Sequence, residues 1–244
     1  MDTGIVLLSA FLGGALTVLG GIAYERIEVG RRLLSFIMVA TTGMIFSVLL
    51  FGMLPASMQV AGAGYAALGF VLGGMILIIT GYIFPHTYGA ERYEDKLYSI
   101  LRRGSLVITG IIIYNIPAGL AIGAAFAGSM TLGVAAFAAV SLQNVARGVS
   151  IRPPLSGSFP RRAHVLVIML LAGLPALGGA ALSFTVLFSS MPVLLASGLS
   201  FSAGAMFFVC ADQLMPLIKG TAKTHEVAAA LFIGVFAGVL MLGI

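Results

Sequence analysis

Two short polar stretches interrupt long apolar runs: residues 114–119 read Tyr-Asn-Ile-Pro-Ala-Gly, and residues 143–148 read Gln-Asn-Val-Ala-Arg-Gly. Each stretch has a polar residue, an asparagine, three further residues and a glycine. Residues four positions apart share one face of a helix. We therefore predict two adjacent, antiparallel helices, joined by a short turn near 128–131, with Asn115, Gln143 and Asn144 facing a common polar pocket.

The composition around these stretches is that of an integral membrane protein. Of the 244 residues, 60% are hydrophobic and only 9% are charged, whereas soluble domains have about 25% charged residues. This composition excludes a soluble enzyme, a nucleic-acid-binding protein and a disordered chain. The single cysteine, Cys210, excludes a disulfide framework and a metal cluster held by several thiolates. The expected environment, and the first partner, is the lipid bilayer.

Apolar runs long enough to cross a bilayer, about 20 residues each, occur eight times in the chain. They predict spans at 4–23, 33–54, 63–84, 105–127, 131–151, 163–188, 192–215 and 226–243. The spans use most of the chain and leave no separate soluble domain. We therefore predict an all-α membrane protein with a single polytopic domain over residues 1–244.

The basic residues indicate how these helices are oriented. Those outside the spans follow the first, third, fifth and seventh predicted helices: Arg26, Arg31, Arg32, Arg92, Lys96, Arg102, Arg103, Arg152, Arg161, Arg162, Lys219 and Lys223. The other connections and the C-terminal segment contain no Lys or Arg. Because basic loops stay in the cytoplasm, we predict cytoplasmic basic loops, two extracytoplasmic termini and a location in the plasma membrane.

Two ionisable residues lie clearly inside the predicted spans rather than at their first residues, Arg147 and Asp212. Such residues are rare in membranes and usually functional. Arg147 either faces the bundle, bound by Asn115, Gln143 and a carbonyl freed by Pro117, or extends to the membrane surface near Pro153. A third alternative is that it attracts an anionic solute. Asp212 either pairs with Arg147 or is solvated at the end of its helix. The sequence leaves both choices open.

The helix pattern and the two polar stretches resemble the ZIP family of divalent-metal transporters in its short prokaryotic form. Helix 4 of that family typically carries H-N-x-P-E-G, and helix 5 carries [HQ]-[ND]-x-P-E-G. Further matches are Phe84-Pro85-His86, residues 173–178, and residues 201–206 followed by Asp212 and Pro216. The resemblance implies an eight-helix bundle and transport of zinc or iron through a binuclear metal site.

This chain departs from the family at most of its metal-ligand positions. Tyr114 stands at the helix 4 histidine and Ala118 at the helix 4 glutamate. Arg147 stands at the helix 5 glutamate, and Leu174 at the helix 6 carboxylate. The family's polar positions are kept by three neutral amides: Asn115, Gln143 and Asn144. Zinc prefers imidazole, thiolate or carboxylate ligands, so we expect a degenerate site, with no resident metal and no cofactor.

Two functions remain open at this point. The first is a ZIP-like multi-pass transport protein with an altered substrate or without transport. The second is a transport-inactive accessory subunit in a larger membrane complex, whose partners are a second copy of the chain or other membrane subunits. An enzyme is not expected, because the spans contain no paired carboxylates, no histidine away from the membrane boundary and no nucleophile beside a base.

Overall fold

A computed structural model describes residues 2–83, 96–188, 192–220 and 224–244, with the backbone alone for 96–103, 187–188, 216–220 and 224. Within these residues the regular structure is entirely helical. The elements are α1 (Thr3–Arg26), α2 (Arg31–Ser47), a π-helical segment (Val48–Met53), α3 (Leu54–Ile83), α4 (Lys96–Gly128), α5 (Met130–Ser158), α6 (Arg162–Gly173), α7 (Pro175–Phe188), α8 (Pro192–Gly220) and α9 (Thr224–Leu242). Seven helical segments of the described chain are long and apolar enough to cross a membrane, which confirms a multi-pass, all-α membrane protein.

Some predicted features fall outside the description. The match at Phe84-Pro85-His86 and the basic residues Arg92 and Lys223 lie outside the described residues. The side chains of Lys96, Arg102, Arg103 and Lys219 do so as well.

The second and third predicted spans lie in one helical segment of 53 residues, Arg31–Ile83, which is kinked at Gly62 and has no loop between the spans. The sequence between them contains no charged residue, and the helix continues through Pro55, which directly follows the π-helical segment and the first residue of α3. Nothing in residues 55–61 therefore ends the helix. The segment is interrupted at Gly62, whose non-helical backbone (φ 82°, ψ 163°) is accessible to glycine. The chain kinks there.

Two further boundaries differ from the predicted spans. Helix α5 continues through Pro153 and Pro154 to Ser158, where a connection was expected. This last part of α5 is stabilised by the burial of Leu155 in an apolar cluster. The predicted span 163–188 is divided into α6 and α7 at Leu174, directly before Pro175, whose missing N–H removes one hydrogen bond of the helix.

Helix α5 lies at the centre of the described bundle. It packs against α1, α2, α4, α6 and α9, and the most extensive pairs elsewhere are α3 with α8, α4 with α7 and α2 with α9. Ser129 separates α4 from α5 and caps α5, its hydroxyl accepting from the Leu132 N–H at 3.2 Å. The predicted adjacency of the two helices that carry the polar stretches is confirmed.

Close backbone packing of α3 on α8 predicts a strong effect at Gly204. A Cβ atom there would overlap the backbone carbonyl of Phe70. We expect Gly204→Ala to destabilise the protein by about 1–3 kcal/mol, the usual range for overpacking, as a lower thermal midpoint in circular dichroism. Gly178→Ala is the matched control, since nothing lies within 4 Å of its added Cβ. Equal midpoints for the two variants would contradict the packing described.

Candidate functional site

Arg147 is buried in the centre of the bundle, with 5% of its surface exposed. Its Nη1 donates to Asn144 Oδ1 at 2.9 Å, and its Nη2 donates to Gln143 Oε1 at 3.3 Å and to Gln213 Oε1 at 3.0 Å. We call these four residues the arginine cluster. The guanidinium therefore faces the bundle, and the alternative in which it extends to the membrane surface does not hold.

The two amides on α5 also connect the arginine cluster to three other helices. Asn144 Nδ2 donates to the Gly13 carbonyl on α1 at 2.9 Å. Gln143 Nε2 donates to Thr42 Oγ1 on α2 at 3.3 Å, and it lies 3.8 Å from Cys210 Sγ on α8. Both amides are one helical turn before Arg147, so their oxygens reach its guanidinium while their nitrogens reach outward.

Asn115 binds a different partner from the one predicted. It is fully buried, and its Nδ2 donates to the Ala172 carbonyl at 2.8 Å. Ala172 lies in the last turn of α6, where carbonyl groups lose their partners within the helix. Asn115 thus links α4 to the break between α6 and α7. It forms no hydrogen bond with the arginine cluster, so the predicted contact between Asn115 and Arg147 is not made.

Tyr114 lies beside the arginine cluster and connects it to Asp212. The centre of its ring is 6.0 Å from Cζ of Arg147, within the range of a cation–π contact. Its hydroxyl donates to Asp212 Oδ2. Arg147 forms no ion pair with a carboxylate of the described residues. The predicted pair between Arg147 and Asp212 is therefore replaced by a contact through Tyr114.

Ala118 and Leu174 stand at the other two positions where the family resemblance implies metal ligands, and they contribute no polar side-chain atom. Ala118 is buried in the apolar core. Leu174 is 38% exposed at the break between α6 and α7. Across the described ranges, no three His, Cys, Asp or Glu side chains are grouped so that they could hold a metal ion.

Sequence reasoning missed Gln213, Thr42 and the Gly13 carbonyl. Gln213 follows Asp212 directly, so its place beside an intramembrane carboxylate was the available signal. Thr42 and Gly13 carry no such signal. A threonine in an apolar helix usually bonds its own backbone, as Thr42 also does through the Met38 carbonyl at 2.9 Å.

A second polar group joins α1, α5 and α6 at one end of the bundle. Arg152 is buried, and its Nε donates to Glu25 Oε1 at 3.1 Å. Arg162 Nε lies 2.6 Å from the other oxygen of the same carboxylate. The carboxylate of Glu25 thus lies between two positively charged guanidinium groups, of which that of Arg152 is buried.

The burial of this group predicts a larger effect at Glu25 than at a more exposed ion pair. We expect Glu25→Gln to destabilise the protein by about 2–3 kcal/mol, because it leaves the buried guanidinium of Arg152 without a counter-charge. Glu226 pairs with Arg32, whose side chain is 71% exposed, so Glu226→Gln should change stability by about 0–1 kcal/mol. Thermal midpoints of the two variants check this, and an equal or larger loss for Glu226→Gln would contradict it.

The membrane-length helices and the buried polar clusters define a multi-pass membrane protein. Zinc transporter ZupT of Escherichia fergusonii is 26% identical over 226 residues, covering 88% of this chain and 87% of that protein. ZupT of Escherichia coli O7:K1 and of Shigella dysenteriae serotype 1 are each 26% identical over 221 residues, covering 86% of this chain and 82% of the relative. No family model matches the chain. The chain is homologous to these transporters, and the resemblance to the ZIP family is confirmed.

Proposed function

We propose that the chain is a ZIP-type multi-pass transport protein in which Arg147 takes the place of the family's metal ion. Its substrate is then altered, or transport is absent. The observation that carries the proposal is the buried guanidinium, held by three neutral amide oxygens at and beside the family's ligand positions.

The charge of Arg147 opposes zinc at this place. A dication 4 Å from a guanidinium is repelled by about 8 kcal/mol at an effective dielectric constant of 20. No ligand at the family's metal-binding positions offsets this repulsion. Tyr114, Ala118 and Leu174 stand where the family has an imidazole and carboxylates. The amide oxygens of Gln143 and Asn144 already accept from Arg147.

The proposal includes eight membrane crossings in the plasma membrane. A straight helix of the length of Arg31–Ile83 measures about 80 Å, far more than the roughly 30 Å of a bilayer's hydrocarbon core. The non-helical backbone at Gly62 divides the segment into two parts that are each long enough to cross. With this division the basic connections fall on one side, which the positive-inside rule makes cytoplasmic.

Zinc uptake into proteoliposomes tests the proposal. Purified protein is reconstituted beside the Escherichia fergusonii relative, which is named as a zinc transporter, and beside empty liposomes. We expect zinc entry with this chain to equal that of empty liposomes. Saturable zinc uptake by this chain would overturn the proposal.

Purification with native lipids distinguishes the accessory-subunit hypothesis from that of a transporter with an altered substrate. A reproducible partner subunit in fixed stoichiometry, together with no uptake of any solute offered, would favour it over an altered substrate.

A further inference from the structure

The arginine cluster has two buried hydrogen-bond donors without an acceptor. Arg147 Nε and Gln213 Nε2 have no partner among the described residues. They belong to residues that are bonded to each other, through Arg147 Nη2 and Gln213 Oε1 at 3.0 Å. Every amide oxygen of the cluster already accepts from Arg147. What the cluster lacks is therefore an acceptor.

The cluster also lacks a negative charge in direct contact with the guanidinium. All three oxygens bound to Arg147 are neutral amides, and no described carboxylate forms an ion pair with it. The carboxylate of Asp212, one position before Gln213, accepts from the Tyr114 hydroxyl. Buried charges are normally paired, because an isolated charge in a low-dielectric interior is strongly unfavourable. A water molecule would satisfy the donors but would leave the charge uncompensated.

We propose that Arg147 Nε and Gln213 Nε2 bind one small monovalent anion, of the size and charge of a halide, between α5 and α8. The inference rests on the proposed function, in which Arg147 replaces the metal, and it names the class of ligand that this exchange favours. Gln213 is partly exposed although its Nε2 is buried. Because the other three members of the cluster are buried, the proposed point of entry for the anion is Gln213.

The other buried polar atoms without partners do not compete for this ligand. They are Thr17 Oγ1, Asn115 Oδ1 and Ser141 Oγ. Asn115 Oδ1 is an acceptor and cannot bind an anion, and the hydroxyls of Thr17 and Ser141 belong to neutral side chains that are not hydrogen-bonded to the arginine cluster.

The single cysteine provides a direct assay of anion binding. Cys210 is fully buried, so a thiol-reactive fluorophore labels it when the bundle opens on heating. The purified protein is heated in detergent at constant ionic strength, with sodium gluconate replaced stepwise by sodium chloride or sodium bromide. We expect a saturable rise of a few degrees in the unfolding midpoint with both halides, because a ligand that binds only the folded state stabilises it.

Three variants locate the effect at the cluster. Arg147→Gln should abolish the halide-dependent rise. Gln213→Leu keeps the cation but removes one donor to a charged ligand, so it should weaken the apparent halide affinity roughly tenfold or more. Arg31→Gln, which removes an exposed arginine, should keep the full response. If Arg147→Gln does not fold, Gln213→Leu carries the comparison.

Two results would overturn the inference: no rise with halide in the unmodified protein, or the same saturable rise in Gln213→Leu as in the unmodified protein. These failures are distinct from failure of the proposed function. Zinc bound stoichiometrically by the unmodified protein would remove the proposed function, whereas a zinc-free protein without a halide response removes the anion site alone.

Discussion

Replacing Arg147 by alanine is expected to lower the thermal unfolding midpoint by about 10 °C, from a loss of about 3–5 kcal/mol. The side chain donates to Gln143, Asn144 and Gln213. Its removal leaves three amide oxygens without their donor, two of them on buried residues, and each loss at a buried acceptor costs about 1–3 kcal/mol. The variant no longer has to bury the charged guanidinium, and this gain offsets part of the loss in stability. Circular dichroism of the purified protein in detergent measures the midpoint.

Arg31→Ala is the matched control, because it removes an arginine that is exposed at the start of α2. Its midpoint should lie within about 1–2 °C of the unmodified protein, as for surface substitutions in general. An unchanged midpoint for Arg147→Ala would mean that the hydrogen bonds of the arginine cluster contribute no net stability, and the account of its structural role would fail.

Restoring the family's ligands at four positions is expected to give a chain that binds zinc. The variant combines Tyr114→His, Ala118→Glu, Arg147→Glu and Leu174→Glu. It removes the repelling charge and supplies one imidazole and three carboxylates, the ligand types that zinc prefers. We expect stoichiometric zinc after size-exclusion chromatography, measured by elemental analysis. Arg147→Glu alone should bind little, because the other three positions still supply no ligand.

The four substitutions differ in how well the fold accommodates them. Leu174 is partly exposed, so a glutamate there displaces little of the packed core, whereas Ala118 is buried in the apolar core and the larger side chain must displace its neighbours. A triple variant that keeps Ala118 is therefore prepared in parallel. A folded quadruple variant without zinc, or equal zinc in the single Arg147→Glu variant, would contradict the assignment of these positions.

The sequence predicted the parts of the site that depend on local spacing. Gln143 and Asn144 lie four and three positions before Arg147, so helix geometry alone brings their oxygens to its guanidinium. The short link at Ser129 made it predictable that α4 packs on α5. These contacts follow from positions along one or two neighbouring helices.

The contacts that the sequence did not predict depend on tertiary packing. Asn115 was expected at Arg147, but the break before Pro175 exposes the Ala172 carbonyl to it instead. Gln213 comes from α8, far away in the chain, and nothing in its spacing indicates Arg147 as its partner. The helical structure of residues 55–61, beyond the predicted end of the second span, was missed for a different reason. Apart from Pro55, residues 55–61 carry no charge and no helix-breaking residue, so their composition does not distinguish them from a helix.

The zinc content of the unmodified protein tests the central claim most directly. The protein is purified from membranes in buffer that contains zinc, passed through a column to remove unbound ions, and analysed for metal per chain. With Arg147 in the place of the metal, the account predicts well below one zinc ion per chain. Stoichiometric zinc that withstands the column, and that is lost in a folded variant at Gln143 or Asn144, would contradict it.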